Sequence, residues 1–386
     1  MNLSDYGLST ERGFLAGFDP ARIALPADLQ PAREMALRLP ELIPTGRLRS
    51  FLERLPEPDL TGFCETAREA ELRAAMLHYS FMVQAYVWGE PDAPKVLPAC
   101  LAVPIWQIGH AIGQPPLLPY SSYTLENWGR FDEKGPIGLS NIHTLQHFEG
   151  GMDEAWFILV HVAIEARAGE MLHEATRLVG AAKEENDAEI ERALGVMGAV
   201  WDDVNAIFDR MPERCDPYVY FHRVRPWIHG WKDNPALGEG LVYEGVAETG
   251  GKPQAFRGQT GSQSSIVPAM DALLGIGHAG DPLRSFLDEL HAYRPPLHRR
   301  FIDDLRAQSV LRSVVQALRK PAILELYNDN IRKLARFRTR HLEYAATYIN
   351  RQASTAAGND PDVGTGGTPF MRYLKKHRDE AEAHLL

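Results

Sequence analysis

The chain has 386 residues, of which 45% are hydrophobic and 24% are charged, and its formal net charge is −10 at pH 7. This balance is typical of a folded globular protein and excludes a wholly disordered or fibrous chain. The acidic excess argues against a nucleic-acid partner, because phosphate binding needs clustered Lys and Arg.

The cysteine spacing and the lengths of the apolar segments indicate in which cell compartment the protein is located. Cys64, Cys100 and Cys215 are widely spaced and form no CxxC pair, so neither a disulfide framework nor a thiolate zinc site is expected. The first residues lack the apolar core of a signal peptide. No segment approaches the roughly 18 apolar residues of a membrane helix. The sequence therefore predicts a cytoplasmic protein with no membrane partner.

Helical periodicity dominates the chain, and alternating runs are few, which predicts an all-α, mainly helical protein. Residues 1–45 hold several prolines between short apolar pieces and predict an arm that wraps the rest of the protein. Helices are expected at about 65–86, 95–112, 153–182, 186–211 and 217–229. Residues 113–152 look irregular and end at Gly150-Gly151, which indicates a domain boundary near residue 150.

The second half contains two unusual segments. Residues 238–265 are Gly-rich and too long for a passive connector, so they are expected to take part in a site. The helical pattern resumes to about residue 350. Residues 352–368 then predict a mobile loop, which a polar terminal helix follows.

Several common catalytic sites are excluded by missing residues. The segment Gly258–Ser262 lacks the lysine and spacing of a phosphate loop, and no G-x-G-x-x-G follows a strand. His173-Glu174 lacks the second histidine of a zincin. Glu170 and His173 give one Glu-x-x-His pair, whereas a helical di-iron site needs two. The nucleophile elbow G-x-S-x-G is also missing.

Two histidines lie on apolar helix faces. One apolar stripe, spaced by three and four residues, consists of Leu334, Phe337, His341, Tyr344 and Tyr348. On spacing alone, the more common interpretation of His341 is a core histidine bonded to a carbonyl. The alternative is an axial haem ligand, with Arg338 suited to a propionate. His161 has a similar position between Phe157 and Ile164, so the two histidines could lie on opposite sides of a haem.

Longer segments of the sequence identify a family. From about residue 75 to 375 the chain resembles the indoleamine 2,3-dioxygenase family. The matching segments are HYSFMVQAYVWGE (78–90), KVLPACLAVPIWQ (95–107), PPLLPYSSYTLENW (115–128), HGWKDNPALGEGLVYEG (229–245), GSQSSIVPAMDALLG (261–275), RTRHLEYAATYI (338–349) and GTGGTPFM (364–371). They occur in the family's order and cover most of the chain.

The resemblance implies a small N-terminal helical domain at 1–150 and a large domain at 151–386 that holds haem b. The family's proximal ligand of the haem iron lies in an R-x-x-H-L segment, which makes His341 the ligand. The arginine of that segment matches Arg338, which would contact a propionate and Asp271. Dioxygen is then the co-substrate, and an external electron donor reduces the haem.

The resemblance also implies a substrate site. The arginine that binds the substrate carboxylate matches Arg225, whose guanidinium can form two charge-assisted bonds with fixed orientation. Matching positions around the substrate are Tyr120, Phe157, Tyr220, Phe221 and Thr365. The backbone loop at the haem edge corresponds to Gln259, Thr260 and Gly261, of which Gly261 is also placed at the substrate. For Tyr120, Tyr123 and Tyr220, plain core packing is an equally good interpretation.

The chain departs from the animal pattern at several pocket positions. The small distal residue, usually serine, is His161, which is similar to the distal histidine of tryptophan 2,3-dioxygenase. His161 is expected to hydrogen-bond the indole N–H or dioxygen, and not to act as an obligate base. Tyr123, Thr124 and Gln259 replace smaller residues, which affects the expected substrate preference more than the haem or the carboxylate contact.

These matches imply cleavage of the indole C2=C3 bond of L-tryptophan, or of a related indole, to give N-formylkynurenine. A second hypothesis is a haem oxygenase for a modified indole or tryptophan in a biosynthetic pathway. A third is a non-enzymatic oxygen-binding haem protein. Arg225 and Thr365 argue against the third hypothesis, because an oxygen carrier needs no contact with an amino acid.

Overall fold

The protein is described by a computed structural model that covers residues 1–278, 282–352 and 370–386. It is 63% helical with 3% strand, which confirms the predicted all-α class. The two small sheets consist of two strand pairs: β1 (Val96–Leu97) lies parallel to β4 (Val242–Tyr243), and β2 (Gly129–Arg130) lies antiparallel to β3 (Ile142–His143). No helix in the described ranges is long and apolar enough to span a membrane.

Six helices precede residue 150. They are α1 (Gln30–Leu37), α2 (Leu39–Leu42), α3 (Leu48–Leu52), α4 (Thr61–Thr66), α5 (Glu69–Trp88) and α6 (Ala99–Ile112). The start of α6 is later than predicted, because Pro98 adopts an extended conformation as its N-cap. Gly113 ends α6 in the left-handed conformation that glycine adopts without steric cost.

The described residues after 150 form nine more α-helices. They are α7 (Met152–Lys183), α8 (Asp187–Asp209), α9 (Pro217–Val219), α10 (Ile266–Leu274), α11 (Pro282–His291), α12 (Pro296–Gln308), α13 (Leu311–Leu318), α14 (Pro321–Ala345) and α15 (Phe370–Glu382). The last of these is the predicted terminal helix. The described part of the chain also contains three π-helical segments, at Ser121–Leu125, Tyr220–Val224 and Ala346–Asn350.

The predicted single helix at 217–229 is wrong. This stretch is the short α9, then the π-helical segment Tyr220–Val224, then a 3₁₀ turn at Arg225–Ile228. Pro226 lies in that turn and has no backbone N–H, so it cannot continue an α-helical ladder. The change of helix type alters which side chains share a face, and this segment carries three of the predicted substrate residues.

The core consists of two hydrophobic clusters, and α7 contributes to both. Ile158 and Leu159 belong to a cluster formed mainly by helices before residue 150, together with residues of the 227–246 segment. Trp156 and Val160 belong to a cluster formed with α8, α10 and α12 to α14. The N-terminal arm reaches the second cluster through Phe14. The domain boundary near residue 150 stays a prediction.

Packing around α14 defines where a site can form. Helix α7 packs along α8, and both α8 and α15 pack against α14. The first turn of α7 also fixes the loop before it, because the carboxylate of Glu154 accepts hydrogen bonds from the backbone N–H groups of Phe148, Glu149 and Gly150, at 2.7, 3.2 and 2.9 Å. The fold thus holds the two helices that carry the candidate histidines, α7 and α14, at fixed positions.

Candidate active site

A cavity of about 640 Å³ opens between α7, α10 and α14. Its size is within the range that buries a cofactor or a drug-sized ligand. Six of the predicted site residues line it: Tyr120, His161, Gly261, Asp271, Arg338 and His341. The Gly-rich segment contributes Gly261, Ser262 and Ser264 to the lining. The expectation that this segment takes part in a site agrees with its place at the cavity.

His341 projects from α14 into this cavity. Its imidazole has no hydrogen-bond partner among the described residues, so the carbonyl-bonded core interpretation does not describe it. Burial, with a smaller effect of His161, lowers the pKa of His341 to about 4. The ring is therefore neutral at pH 7 and has a lone pair available. A neutral, buried imidazole on a rigid helix is a suitable metal ligand.

Arg338 lies one turn before His341 on α14. Its Nη2 donates to Oδ2 of Asp271 over 2.5 Å, and both side chains are buried. Burial alone would raise the pKa of Asp271, but the charges of Arg338 and His278 hold it below its usual value. The second terminal nitrogen of Arg338, Nη1, is buried and has no partner among the residues described. This donor is available to an anionic group in the cavity.

These features test whether the residues present fit a haem. An iron porphyrin needs an imidazole ligand, an apolar slot of sufficient volume and cationic or polar partners for its propionates. His341 supplies the unpartnered imidazole, and Arg338 supplies a buried guanidinium with an unused N–H group. Leu287, Ile266 and Phe337 are among the apolar residues of the lining. The described residues therefore fit this group.

His161 has a fixed tautomer. Its Nδ1 lies 2.7 Å from the backbone carbonyl oxygen of Phe157, and a carbonyl only accepts hydrogen bonds, so Nδ1 carries the hydrogen. Burial lowers the pKa of His161, which keeps the imidazole neutral. Nε2 then has a lone pair, and the side chain lines the cavity. Nδ1 therefore bonds a backbone carbonyl, as in a core histidine, while Nε2 is available for a functional contact in the cavity.

Glu165 is a buried cavity residue that the sequence did not single out. Its Oε1 accepts hydrogen bonds from the Tyr120 hydroxyl at 2.9 Å and from the Ser264 hydroxyl at 2.7 Å. Its Oε2 is buried with no partner among the described residues. Burial raises the pKa of Glu165 to about 7. In the sequence, Glu165 could have been recognised from its position four residues after His161, since that spacing places both side chains on the same face of α7.

An aromatic wall extends from His161. The ring of Phe157 lies 4.7 Å from that of His161 and 4.8 Å from that of Tyr220, measured between centroids. Tyr123 contacts Phe157 at 6.4 Å, and its buried hydroxyl has no hydrogen-bond partner within the described ranges. These contacts connect the cavity to the segment that carries the predicted carboxylate-binding arginine.

Three further predicted residues, Arg225, Gln259 and Thr260, lie outside the cavity lining. Arg225 is fully buried, and its guanidinium lies 5.4 Å from the ring centroid of Phe221. Thr260 caps the 3₁₀ turn Gly261–Gln263, and Gln259 is buried beside it. Thr365 lies outside the described residues. The roles assigned to these positions stay predictions.

Three further polar residues around the cavity also went unrecognised in the sequence. Arg294 donates to the backbone carbonyls of Ser262 and Ser264, at 2.7 and 3.2 Å, and so holds the loop at the cavity. His278 and His377 also line the cavity. Their positions depend on contacts between segments distant in the chain, so no local pattern could have indicated them.

The chain is similar to proteins of one known family. The family model described as indoleamine 2,3-dioxygenase matches residues 2–384. The chain is 35% identical over 381 residues to indoleamine 2,3-dioxygenase 1 of Rattus norvegicus, covering 94% of this chain and 91% of the relative. It is 30% identical over 428 residues to indoleamine 2,3-dioxygenase of Saccharomyces cerevisiae, covering 99% and 93%.

A relative with a different name is also found. A myoglobin of Haliotis madaka is 27% identical over 392 residues, covering 99% of this chain and 98% of the relative. The family model and the relatives at 30% identity or more nevertheless agree with each other. The chain belongs to the indoleamine 2,3-dioxygenase family and is an oxidoreductase.

Proposed function

We propose that this protein cleaves the indole C2=C3 bond of L-tryptophan with dioxygen, giving N-formylkynurenine, and that it uses haem b. The observation that carries the proposal is that two neutral imidazoles, those of His161 and His341, line the same cavity. One has no partner and suits iron, and the other presents a lone pair and suits an N–H donor. The family and its relatives' names support the reaction class.

His341 and Arg338 would hold the cofactor. His341 would bind the haem iron, and the unused Nη1 of Arg338 would bind a propionate while Asp271 keeps the guanidinium in place. Haem, once reduced by an external electron donor, supplies the electron density that ground-state triplet dioxygen needs to react with a closed-shell indole. The chain's own residues position the substrate and exclude water.

His161 and Arg225 are proposed to orient the substrate. The lone pair on Nε2 of His161 accepts a hydrogen bond from the indole N–H. Imidazole is too weak a base to remove this proton near neutral pH, so the contact orients the ring and leaves the proton on nitrogen. Arg225 binds the amino-acid carboxylate in a bidentate manner. Two fixed contacts at opposite ends of the bound substrate hold it in a reactive orientation. Less entropy is then lost between the bound complex and the transition state.

The proposal is tested with haem-reconstituted, reduced protein and L-tryptophan in air. Formation of N-formylkynurenine, followed by its absorbance band and identified by mass, is the expected result. The His341→Ala variant, prepared in the same way, is expected to form none. If the wild-type protein takes up haem but its spectrum is unchanged by any indole, the proposed substrate class is wrong. If it takes up no haem, the assignment of His341 is wrong.

A second candidate is oxidation of an indole that carries an additional polar group. The buried, unpartnered hydroxyl of Tyr123 beside Phe157 favours it, because a polar substituent there would satisfy that hydroxyl. The test compares kcat/KM for L-tryptophan and for ring-hydroxylated tryptophans in the wild type and in Tyr123→Phe. A substituted substrate that is preferred only by the wild type supports this candidate. L-Tryptophan as the best substrate of both proteins rejects it.

A further inference from the structure

A second polar cluster lies where the C-terminal helix meets the cavity. Three side chains there offer possible metal-ligand atoms, which all lie within 4.8 Å of one another. They are His278, four residues after the end of α10, and His377 and Glu380 on α15. Both histidines also line the cavity. His377 and Glu380 are three residues apart on a helix, so they share a face. The cluster therefore combines residues from two segments at one point.

The donor set suits a transition metal. Two imidazoles and one carboxylate are a ligand set found for Zn²⁺, which leaves a further position for water or an anion. Burial, with the charge of His278, lowers the pKa of His377 to about 4, so this ring is neutral. Its Nε2 is buried and has no hydrogen-bond partner in the described parts of the chain. A buried ring nitrogen without a partner is costly unless something binds it.

His278 is oriented as a metal-binding histidine would be. Its Nε2 lies 3.0 Å from Oδ2 of Asp271, and its Nδ1 lies 2.6 Å from Oε2 of Glu380. Metal-ligating histidines usually donate their other N–H to a carboxylate, which fixes the ring and strengthens the ligand. Asp271 provides this support to Nε2, which leaves Nδ1 to point at the same region as Glu380 and His377.

Metal binding would displace a proton from His278. Without a metal, both ring nitrogens of His278 face carboxylate oxygens, which accept hydrogen bonds, so both nitrogens carry a hydrogen. A divalent cation would take the place of the Nδ1 proton, which is released to solvent. Glu380 would then bind the cation through the oxygen that now faces Nδ1. No oxidation or reduction is involved.

We propose that His278, His377 and Glu380 form a binding site for a divalent transition-metal cation such as Zn²⁺, separate from the haem ligand. The site would join α15 to the segment after α10. Through Asp271 it would also contact Arg338, the residue that we assign to the haem propionate. Metal binding would thereby stabilise the C-terminal helix and the arginine at the same time. The inference does not depend on the identity of the indole substrate.

The test is zinc binding by the haem-loaded protein. Wild type, His377→Ala, Glu380→Gln and the control His110→Ala, which removes an exposed histidine of α6, are dialysed against the same buffered Zn²⁺ solution. Zinc per chain is then measured by elemental analysis, and haem content is measured separately. The wild type and His110→Ala are expected to retain a single zinc ion per chain. The two site variants are expected to bind zinc at least about tenfold more weakly.

A second measurement identifies the ligands directly. X-ray absorption at the zinc edge of the wild-type protein should show a shell of nitrogen and oxygen atoms only, with the outer-shell scattering of two imidazoles. Zinc should also raise the thermal midpoint of the wild type but not that of His377→Ala. Equal zinc content in wild type and in both site variants, or no zinc in the wild type, would overturn the proposal. Loss of tryptophan turnover alone would not affect it.

Discussion

The Nδ1 atom of His161 donates a hydrogen bond to the carbonyl oxygen of Phe157, one turn earlier on α7, over 2.7 Å. This contact determines what His161 can do, because it leaves Nε2 without a hydrogen and therefore able to accept one. A histidine held in this tautomer can accept a hydrogen bond from an indole N–H. It can accept none from the ring nitrogen of an N-methylated indole, which has no hydrogen to donate. The distinction provides a direct test of its role.

The variant His161→Leu removes this acceptor. We expect kcat/KM for L-tryptophan to fall roughly five- to tenfold, the value of one neutral hydrogen bond. The same variant should leave kcat/KM for 1-methyl-tryptophan nearly unchanged, since that substrate has no N–H to donate. His161→Gln, which keeps an acceptor, is the matched control. Equal losses for both substrates would show that His161 acts only through pocket shape.

Replacement of His341 should abolish stable haem binding. The expected result for His341→Ala is haem content near zero after gel filtration, with an unchanged far-ultraviolet circular dichroism spectrum, because the histidine makes no hydrogen bond to the described residues. His110→Ala, at an exposed position, should retain full haem content. A normal haem spectrum in His341→Ala would move the ligand to another residue.

Arg225→Leu tests the carboxylate contact. Loss of a charge-assisted bidentate pair should raise the dissociation constant of L-tryptophan by about 10- to 100-fold. Binding of indole, which has no carboxylate, should change little. The control is Arg223→Leu, two residues away, whose side chain is 62% exposed and pairs with Glu149. Haem-spectrum titrations with both ligands distinguish the outcomes, and parallel losses for tryptophan and indole would reject the assignment.

The Arg338–Asp271 pair is buried, so removal of one partner should cost more than removal of both. Asp271→Asn leaves the guanidinium without its counter-charge and should lower the free energy of unfolding by about 3 kcal/mol. The double variant Arg338→Met, Asp271→Leu should cost less than the sum of the single changes. Urea unfolding of the haem-free proteins measures these values. Additive losses would mean that the pair is not coupled.

Glu165 should make stability depend on pH. Its pKa is raised to about 7 in the folded protein, above the ordinary glutamate value of 4.5, so folding favours its protonated form. This contribution is fully present below the unfolded pKa and is lost as pH rises through about 7. Relative to Glu165→Gln, the wild type should lose about 2 to 3 kcal/mol between about pH 4 and about pH 8.

The measurement is the free energy of unfolding of both proteins across that pH range. Glu154, whose pKa burial also raises to about 7, is present in both and cancels in the difference. A constant difference between wild type and Glu165→Gln would show that folding leaves the pKa of Glu165 unchanged.

Much of the helical framework follows from the sequence, because long amphipathic helices such as α7 and α8 are determined by local periodicity. The stretch from Pro217 to Ile228 was mispredicted, since its change from α- to π- to 3₁₀-helix depends on packing and on Pro226. Spacing placed His161 and His341 on apolar faces. Only the tertiary structure shows that the two faces meet at one cavity.

The polar partners of the site were less predictable. Glu165 reads in sequence as one charged residue among many, and its raised pKa follows from burial against Tyr120 and Ser264, residues far away in the chain. No local sequence pattern could have indicated the contacts of His278, because its partners lie on α10 and α15. Local sequence determines helices, whereas contacts between distant segments determine protonation.

Helix α7 carries, over its 32 residues, the carboxylate that fixes the loop at 148–150, then His161, then Glu165. At about 1.5 Å per residue it is a rod of roughly 48 Å. A shift along its axis would move all three groups together. Substitutions of lining residues on other elements, such as Gly261 or Ile266, would instead reshape the pocket and leave α7 in place. In evolution, new substrate preferences are therefore expected to arise from substitutions in the pocket lining, while α7 and the groups it carries stay unchanged.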